Sequence, residues 1–276
     1  MRFSTILKKC LHNRNFIIGI SMVGLMVLTM LVGFFYMPYD PNAMDTENAL
    51  QFFSSAHPLG TDQFGRDILS RIMEGTRVSF LVGALTVVFG LIVGGAIGSI
   101  AGYYGGKIDE VIMKLIDTQM AFPGVLLALM LIAVFGNSLQ NLIFALGVMS
   151  IPRFARISRS GFIKYRDAEF IKAARSRGAG DGRIIFRHIL PNIVPELIVT
   201  SSLGFAGAVM SEAGLSYLGL GIQPPTPSFG KMLSEAQAEI LKAGWYVLVP
   251  ALAITLLVMG FNLIGDALQE VTQHDR

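Results

Sequence analysis

Charge is what this sequence has least of. Lys, Arg, Asp and Glu together make up 15% of its 276 residues, against about a quarter in an ordinary soluble domain. With 53% hydrophobic residues and a mean hydropathy of +0.58, the composition points to a chain that lives in lipid. Cysteine is nearly absent. Cys10 stands alone before the first long apolar run, so the chain cannot form an internal disulfide. Histidine is sparse too. His12, His57, His188 and His274 are scattered, and neither H-E-x-x-H nor a paired-cysteine pattern occurs, so no metal centre is expected. A phosphate loop is also missing. The nearest approach, YYGGKID at 103–109, has Ala101 where the first Gly belongs and Ile108 where Ser or Thr belongs. The chain is therefore expected to be non-catalytic and to bind no cofactor itself.

Long apolar runs are abundant instead. A spanning helix needs about 20 mostly apolar residues. Residues 17–36, 78–102, 120–136, 139–152, 194–221 and 247–265 satisfy or approach that length, which predicts six spans. The first is too long for a signal-peptide core and no A-x-A site follows it, so an uncleaved helix is expected. Lys and Arg divide unevenly between the two sides. Residues 1–16, 103–119, 153–196 and the tail hold seventeen, and residues 37–77 and 222–246 hold five. The excess places both termini and the 153–196 loop in the cytoplasm. The expected organisation is an N-terminal cytoplasmic segment 1–16, a first span 17–36, an external loop 37–77, a five-helix core 78–266 that includes a cytoplasmic loop 153–193, and a tail 267–276.

Within the second span, Gly90, Gly94, Gly98 and Gly102 recur every four residues. That spacing lines them on one helix face and predicts close packing on another helix. Glu212 lies deep in the fifth span, where a carboxylate must face protein or water. It is expected either as a pathway or gate residue, or as a structural carboxylate bonded to the neighbouring loop. In the loop before the second span, Asp62, Arg66 and Asp67 fit either a salt-bridged loop cap or a contact for a delivery protein.

The stretch EFIKAARSRGAGDGRIIFRHILPN, residues 169–192, holds five Lys or Arg and two acidic residues between long apolar runs. Ala173 and Ala174 favour helix, and the glycines of GAG at 178–180 break it. Asp181 is expected to cap a second short helix, Ile184, Ile185 and Phe186 form an apolar knot, and Pro191 is expected to stop that helix. Two readings fit: a basic amphipathic segment on anionic lipid, or a docking knob for a cytoplasmic partner.

This stretch resembles the cytoplasmic loop of permease subunits of ABC importers, in which Glu-Ala-Ala, three residues, Gly, and later Ile and Leu-Pro recur. Ala173, Ala174, Gly178, Leu190 and Pro191 match, whereas Lys172 stands at the Glu position and His188 at the Ile position. HPLGTDQFGRD at 57–67, which includes Gly60, Thr61, Asp62, Gly65, Arg66 and Asp67, resembles the peptide and nickel branch of these permeases, second-permease type. EAGLSYLGLGIQPPTPSFGKML at 212–233 and FNLIGDALQ at 261–269 do so too. The resemblance implies an all-α membrane protein with the type I ABC importer permease fold. It implies half of a transmembrane pathway for peptides, with a nickel or metal-chelate importer as the alternative. Its implied partners are a homologous second permease, two ATPase subunits that bind ATP and Mg, and an external solute-binding protein or lipoprotein. The segment Gly178 to Phe186 would be the coupling element, with Gly178 giving the turn, Ala179 allowing close approach, and Ile184, Ile185 and Phe186 filling an apolar groove on the ATPase. An ion-gradient secondary transporter is a distant alternative, since the spans lack an acid or base relay beside Glu212.

Overall fold

The protein's structure, a computed structural model, describes residues 10–274. It is built of helices joined by loops, the longest between Phe35 and Ile68. Helix α1 is Arg14–Phe35, started by the Asn13 side chain, which accepts from the backbone N–H groups of Asn15 and Phe16. A loop then leads to α2, Ile68–Tyr104, capped by Asp67 through Ser70 N–H. At 1.5 Å per residue its 37 residues run about 55 Å, well beyond the roughly 30 Å of a bilayer core. It therefore joins two opposite ends of the bundle, one at Asp67 and one at Tyr103.

Gly105, with φ of +65°, turns the chain into α3, Gly106–Ala121. Pro123 holds the preceding Phe122 extended, and α4, Gly124–Phe135, leaves at 88° to α3. Ser138 caps α5, Leu139–Arg166. Helix α6 is Glu169–Ser176. Helix α7 covers Asp181–Tyr217, α8 is Phe229–Ala238, capped by Ser228, and α9 is Gly244–His274.

One expectation from sequence is corrected here. Pro191 does not end a helix. It has no N–H to offer the Arg187 carbonyl, so the turns before it widen into a π segment, Ile184–Ile189, in which Leu190 N–H bonds Ile185 O. The helix continues through Pro191 to Tyr217. Among the described residues, α1, α2, α7 and α9 are long and apolar enough to cross a membrane by length and composition, and the bent pair α3–α4 would be a fifth. The expected third span is a 12-residue helix beyond the Pro123 bend. The expected fourth is the first half of α5, whose second half brings in Arg153, Arg156 and Arg159 and lowers its hydropathy.

The most extensive helix pairing among the described residues is α2 against α5. The four-residue glycine ridge of α2 makes it possible. A Cβ on Gly94 would stand 2.5 Å from Ile151 O, and one on Gly102 2.6 Å from Arg159 O. Gly90 faces Ser150 and Phe154, and Gly98 faces the Ala155 backbone. With no side chains between them, the two backbones meet directly. Around this pair lie a core shared by α2, α7, α8 and α9, including Phe205, Met232 and Tyr246, and a second of α2, α4, α5 and α7 residues around Leu142 and Leu146. A third cluster at the Tyr103 end packs Phe154, Phe162, Ile171, Ile184, Ile189 and Ile193.

Candidate functional site

At the Tyr103 end of the bundle the chain turns an elbow between α6 and α7. Gly178 sits at φ +83°, a conformation costly for a residue with a Cβ, and nothing lies within 4 Å of where its Cβ would be. The elbow backbone closes by Gly178 N–H to Arg175 O at 2.9 Å and Ala179 N–H to Ala174 O at 3.1 Å, a helix-terminating pattern with glycine in the left-handed position. Ala173 is exposed, Ala174 and Ala179 are half-buried, and Phe186 is 71% exposed.

The elbow is braced from below. Tyr103 Oη, at the end of α2, donates to Asp181 Oδ1 at 2.5 Å and accepts from Arg175 Nη2 at 3.0 Å. Arg166, the last residue of α5, donates from Nη1 to Gly102 O at 3.0 Å. Arg159 holds Asp109 of α3 with two bonds, 2.5 Å from Nε and 2.6 Å from Nη2. The ends of α2, α3, α5, α6 and α7 are thus tied into one block, with Ile171, Ile184 and Ile189 fully enclosed beneath it.

At the opposite end, the 37–67 loop is locked onto α2 and α8. Asp62 Oδ1 accepts from the N–H groups of Phe64 and Arg66 at 2.8 and 3.0 Å, and its Oδ2 accepts from Arg66 Nε at 2.6 Å. Arg66 Nη2 reaches on to Glu235 of α8 at 2.9 Å, and Arg71 approaches both carboxylates, 3.6 Å from Asp62 and 3.4 Å from Glu235. Thr61 Oγ1 donates to Asn48 O at 2.5 Å and accepts from Gln51 N–H at 2.8 Å. His57 Nδ1 lies 2.9 Å from Asp67 Oδ1. Gly60 and Gly65 both have positive φ; Gly65 lies against the Asp45 backbone and Gly60 against the Trp245 ring. Thr61, Asp62, Arg66 and Asp67 are all buried.

Glu212 is completely enclosed. Ser216 Oγ donates to its Oε1 at 2.6 Å and accepts from Ile222 N–H at 3.0 Å. The Ser79 and Ser228 hydroxyls flank the carboxyl without closing well-aligned bonds to Oε2. The carboxyl therefore pins the 218–228 loop to α7, beside α2 and the start of α8.

The sequence signature of the family described as "Binding-protein-dependent transport system inner membrane component" matches residues 94–275. The chain belongs to this family. Relatives agree over nearly the full length. A dipeptide transport system permease protein of Alkalihalophilus pseudofirmus is 44% identical over 91% of this chain and 84% of its own. A glutathione transport system permease protein of Pectobacterium atrosepticum is 42% identical over 90% and 84%, and a dipeptide permease protein of Haemophilus influenzae 37% identical over 94% and 90%. In fold, the chain is similar to one in the inward facing MetNI methionine ABC transporter, with a TM-score of 0.61 over 75% of this chain and 97% of that one at 19% identity.

As an inner membrane component of this kind, the chain differs from the sequence expectations in several places. Asp181 does not cap its own helix. The position before α7 is Gly180 and no side-chain cap bond forms there, because the Asp181 carboxylate is taken by Tyr103. Ile184 belongs to the enclosed cluster and Ile185 is half-buried, which leaves Phe186 as the exposed apolar side chain of the trio. Pro191 lies within α7. Glu212 lines no open surface of this chain, contrary to a pathway or gate position. Asp62, Arg66 and Asp67 form the buried loop cap and have little surface to offer a delivery protein. Sequence reading missed Tyr103, Arg175, Glu235 and the Asp109–Arg159 pair altogether. Their partners lie 50 or more residues away in most cases, and no local pattern marks them.

Proposed function

We propose that this chain is one of two permease subunits of an ATP-driven importer, forming half of the membrane pathway for short peptides handed over by an external binding protein. The names of its dipeptide and glutathione relatives support the solute class, and the nickel alternative is not carried further. Hydrolysis belongs to two separate ATPase subunits that hold ATP and Mg, and this chain binds no cofactor. Six spans with both termini in the cytoplasm of a bacterial or archaeal cell fit the Lys and Arg bias, with α3–α4 and the first half of α5 as the two shorter crossings.

One observation carries the mechanism: the helix that begins at the elbow is the same helix that crosses the membrane. Asp181–Tyr217 runs without a break, so a displacement of Phe186 acts along α7 directly. The Tyr103–Asp181 bond and the Ile184–Phe162 cluster pass the same displacement to α2 and α5. Binding energy released as the ATPases close on ATP would thus reach three pathway helices at once, and a close-packed interior transmits strain instead of absorbing it. Glu212 and the Asp62–Arg66–Glu235 clamp hold the outer end fixed while the elbow end moves.

The direct test is reconstitution of the complete importer in liposomes. ATP-dependent uptake of a labelled dipeptide, absent without ATP and insensitive to ionophores, is the expected result. Uptake driven by an ion gradient from this chain alone would support a secondary transporter instead.

A further inference from the structure

A cleft of about 710 Å³ opens between α5, α7, α9 and the α3–α4 bend, within the roughly 300–1,000 Å³ typical of small-molecule sites. Its apolar wall includes Leu127 and Met149, its polar wall Gln119 and Thr200, and Arg153 and Glu196 contribute opposite charges. Arg156 also reaches the cleft, but its Nη2 is engaged with Asp117 at 2.7 Å. Arg153 has no carboxylate partner among the described residues. Arg153 is exposed in a cleft also lined by Pro152, Met149 and Leu127, and a guanidinium at the edge of a span is costly against hydrocarbon and calls for water or a counter-charge. Its planar fork suits a carboxylate held through two parallel hydrogen bonds.

We infer that this cleft is the solute-binding surface of the chain's half-pathway, and that Arg153 receives the C-terminal carboxylate of a peptide in transit. The inference rests on the peptide-importer reading. The cleft is lined by the α3–α4 bend and by Gln269 and Thr272 near the end of α9, which lie on the cytoplasmic side in the proposed orientation, so Arg153 would act after delivery, when the inner side is open. Its role is specificity and positioning: it favours solutes with a free carboxylate over neutral analogues, because the amide cannot pair with the cation. The apolar wall tolerates varied side chains, which suits a permease fed by a broadly selective partner.

The experiment uses the complete importer in liposomes, with dialanine and dialanine amide as solutes, and the wild type beside Arg153→Gln, Arg153→Met and Arg153→Lys. A lost charge-assisted hydrogen bond is about tenfold in affinity. The Gln and Met variants are therefore expected to lower dialanine uptake about tenfold at subsaturating solute, leave amide uptake at its wild-type rate, and bind ATPase and second permease normally. The Lys variant is expected to retain most dialanine uptake. An unchanged ratio of the two solutes in assembled Gln and Met importers overturns the inference. Loss of the second permease from both variants on purification also overturns it, since the cleft is then a subunit seat. If the wild type moves neither solute, the peptide-importer reading itself fails and takes the inference with it.

Discussion

Tyr103 and Asp181 stand 78 residues apart in sequence, and the tyrosine hydroxyl donates to the aspartate at 2.5 Å. That bond joins the end of one membrane-crossing helix to the first turn of another. It is a brace against relative motion at the place where a partner would push.

Tyr103→Phe removes the hydroxyl and keeps the ring in its cluster. The importer is expected to assemble and hydrolyse ATP, with dipeptide uptake per ATP falling several-fold. Parallel uptake and phosphate-release assays check it. Equal losses in both would mean that Tyr103 only supports folding.

Asp62→Ala would leave Arg66 and Arg71 buried with Glu235 as their remaining carboxylate. Breaking a buried pair by removing one partner costs about 3–5 kcal/mol. The variant is expected to unfold in detergent at a clearly lower temperature than wild type, by fluorescence-monitored melting. An unchanged melting point would show that the clamp is not what holds the loop.

Two glycine substitutions should have opposite signs. Gly98→Ala places a methyl against the Ala155 backbone, which cannot yield without separating α2 from α5, and overpacking of that kind costs about 1–3 kcal/mol. Gly207→Ala meets nothing within 4 Å, and alanine is favoured over glycine in a helix by about 1 kcal/mol. Melting temperatures of the two variants should fall on either side of the wild type.

Cys10 is 1% exposed, packed with Phe16, Ala267 and Val271, and burial pushes its thiol pKa above the ordinary value. The thiolate is the reactive form, so a raised pKa means less of it at neutral pH. Maleimide labelling is expected to be slow at pH 7 in the folded protein, to speed up as pH rises past the ordinary thiol pKa, and to be rapid after denaturation. Fast labelling at pH 7 in mild detergent would show that the N-terminal segment is not docked on α9.

Much of this was legible in the sequence because it depends on local chemistry. The four-residue glycine ridge names its own helix face, and Gly178 marks the elbow because only glycine is at ease there. What stayed hidden depends on tertiary partners. Asp181 looked like a helix cap because nothing nearby in sequence reveals that Tyr103 competes for it. Pro191 looked like a stop because a π turn that absorbs a proline leaves no compositional trace. Ile184, Ile185 and Phe186 are equally apolar on paper, and only the fold turns the first inward and the third outward. The shorter apolar stretches escape a clean count for a related reason: the chain bends by 88° at Pro123, and arginines follow the apolar half of α5.

That division of labour among the three apolar residues sharpens the central test. Ile184→Asp would place a charge in an enclosed cluster and fold poorly, so it separates nothing. Phe186→Asp changes an exposed side chain and leaves the elbow intact. The decisive measurement is purification of the importer with this variant, together with its ATP-dependent dipeptide uptake. The expected result is a normally folded chain that keeps its second permease, loses its ATPase subunits and moves no peptide. Retention of the ATPases with wild-type uptake would contradict the assignment of the elbow as the point where ATP hydrolysis drives the permease.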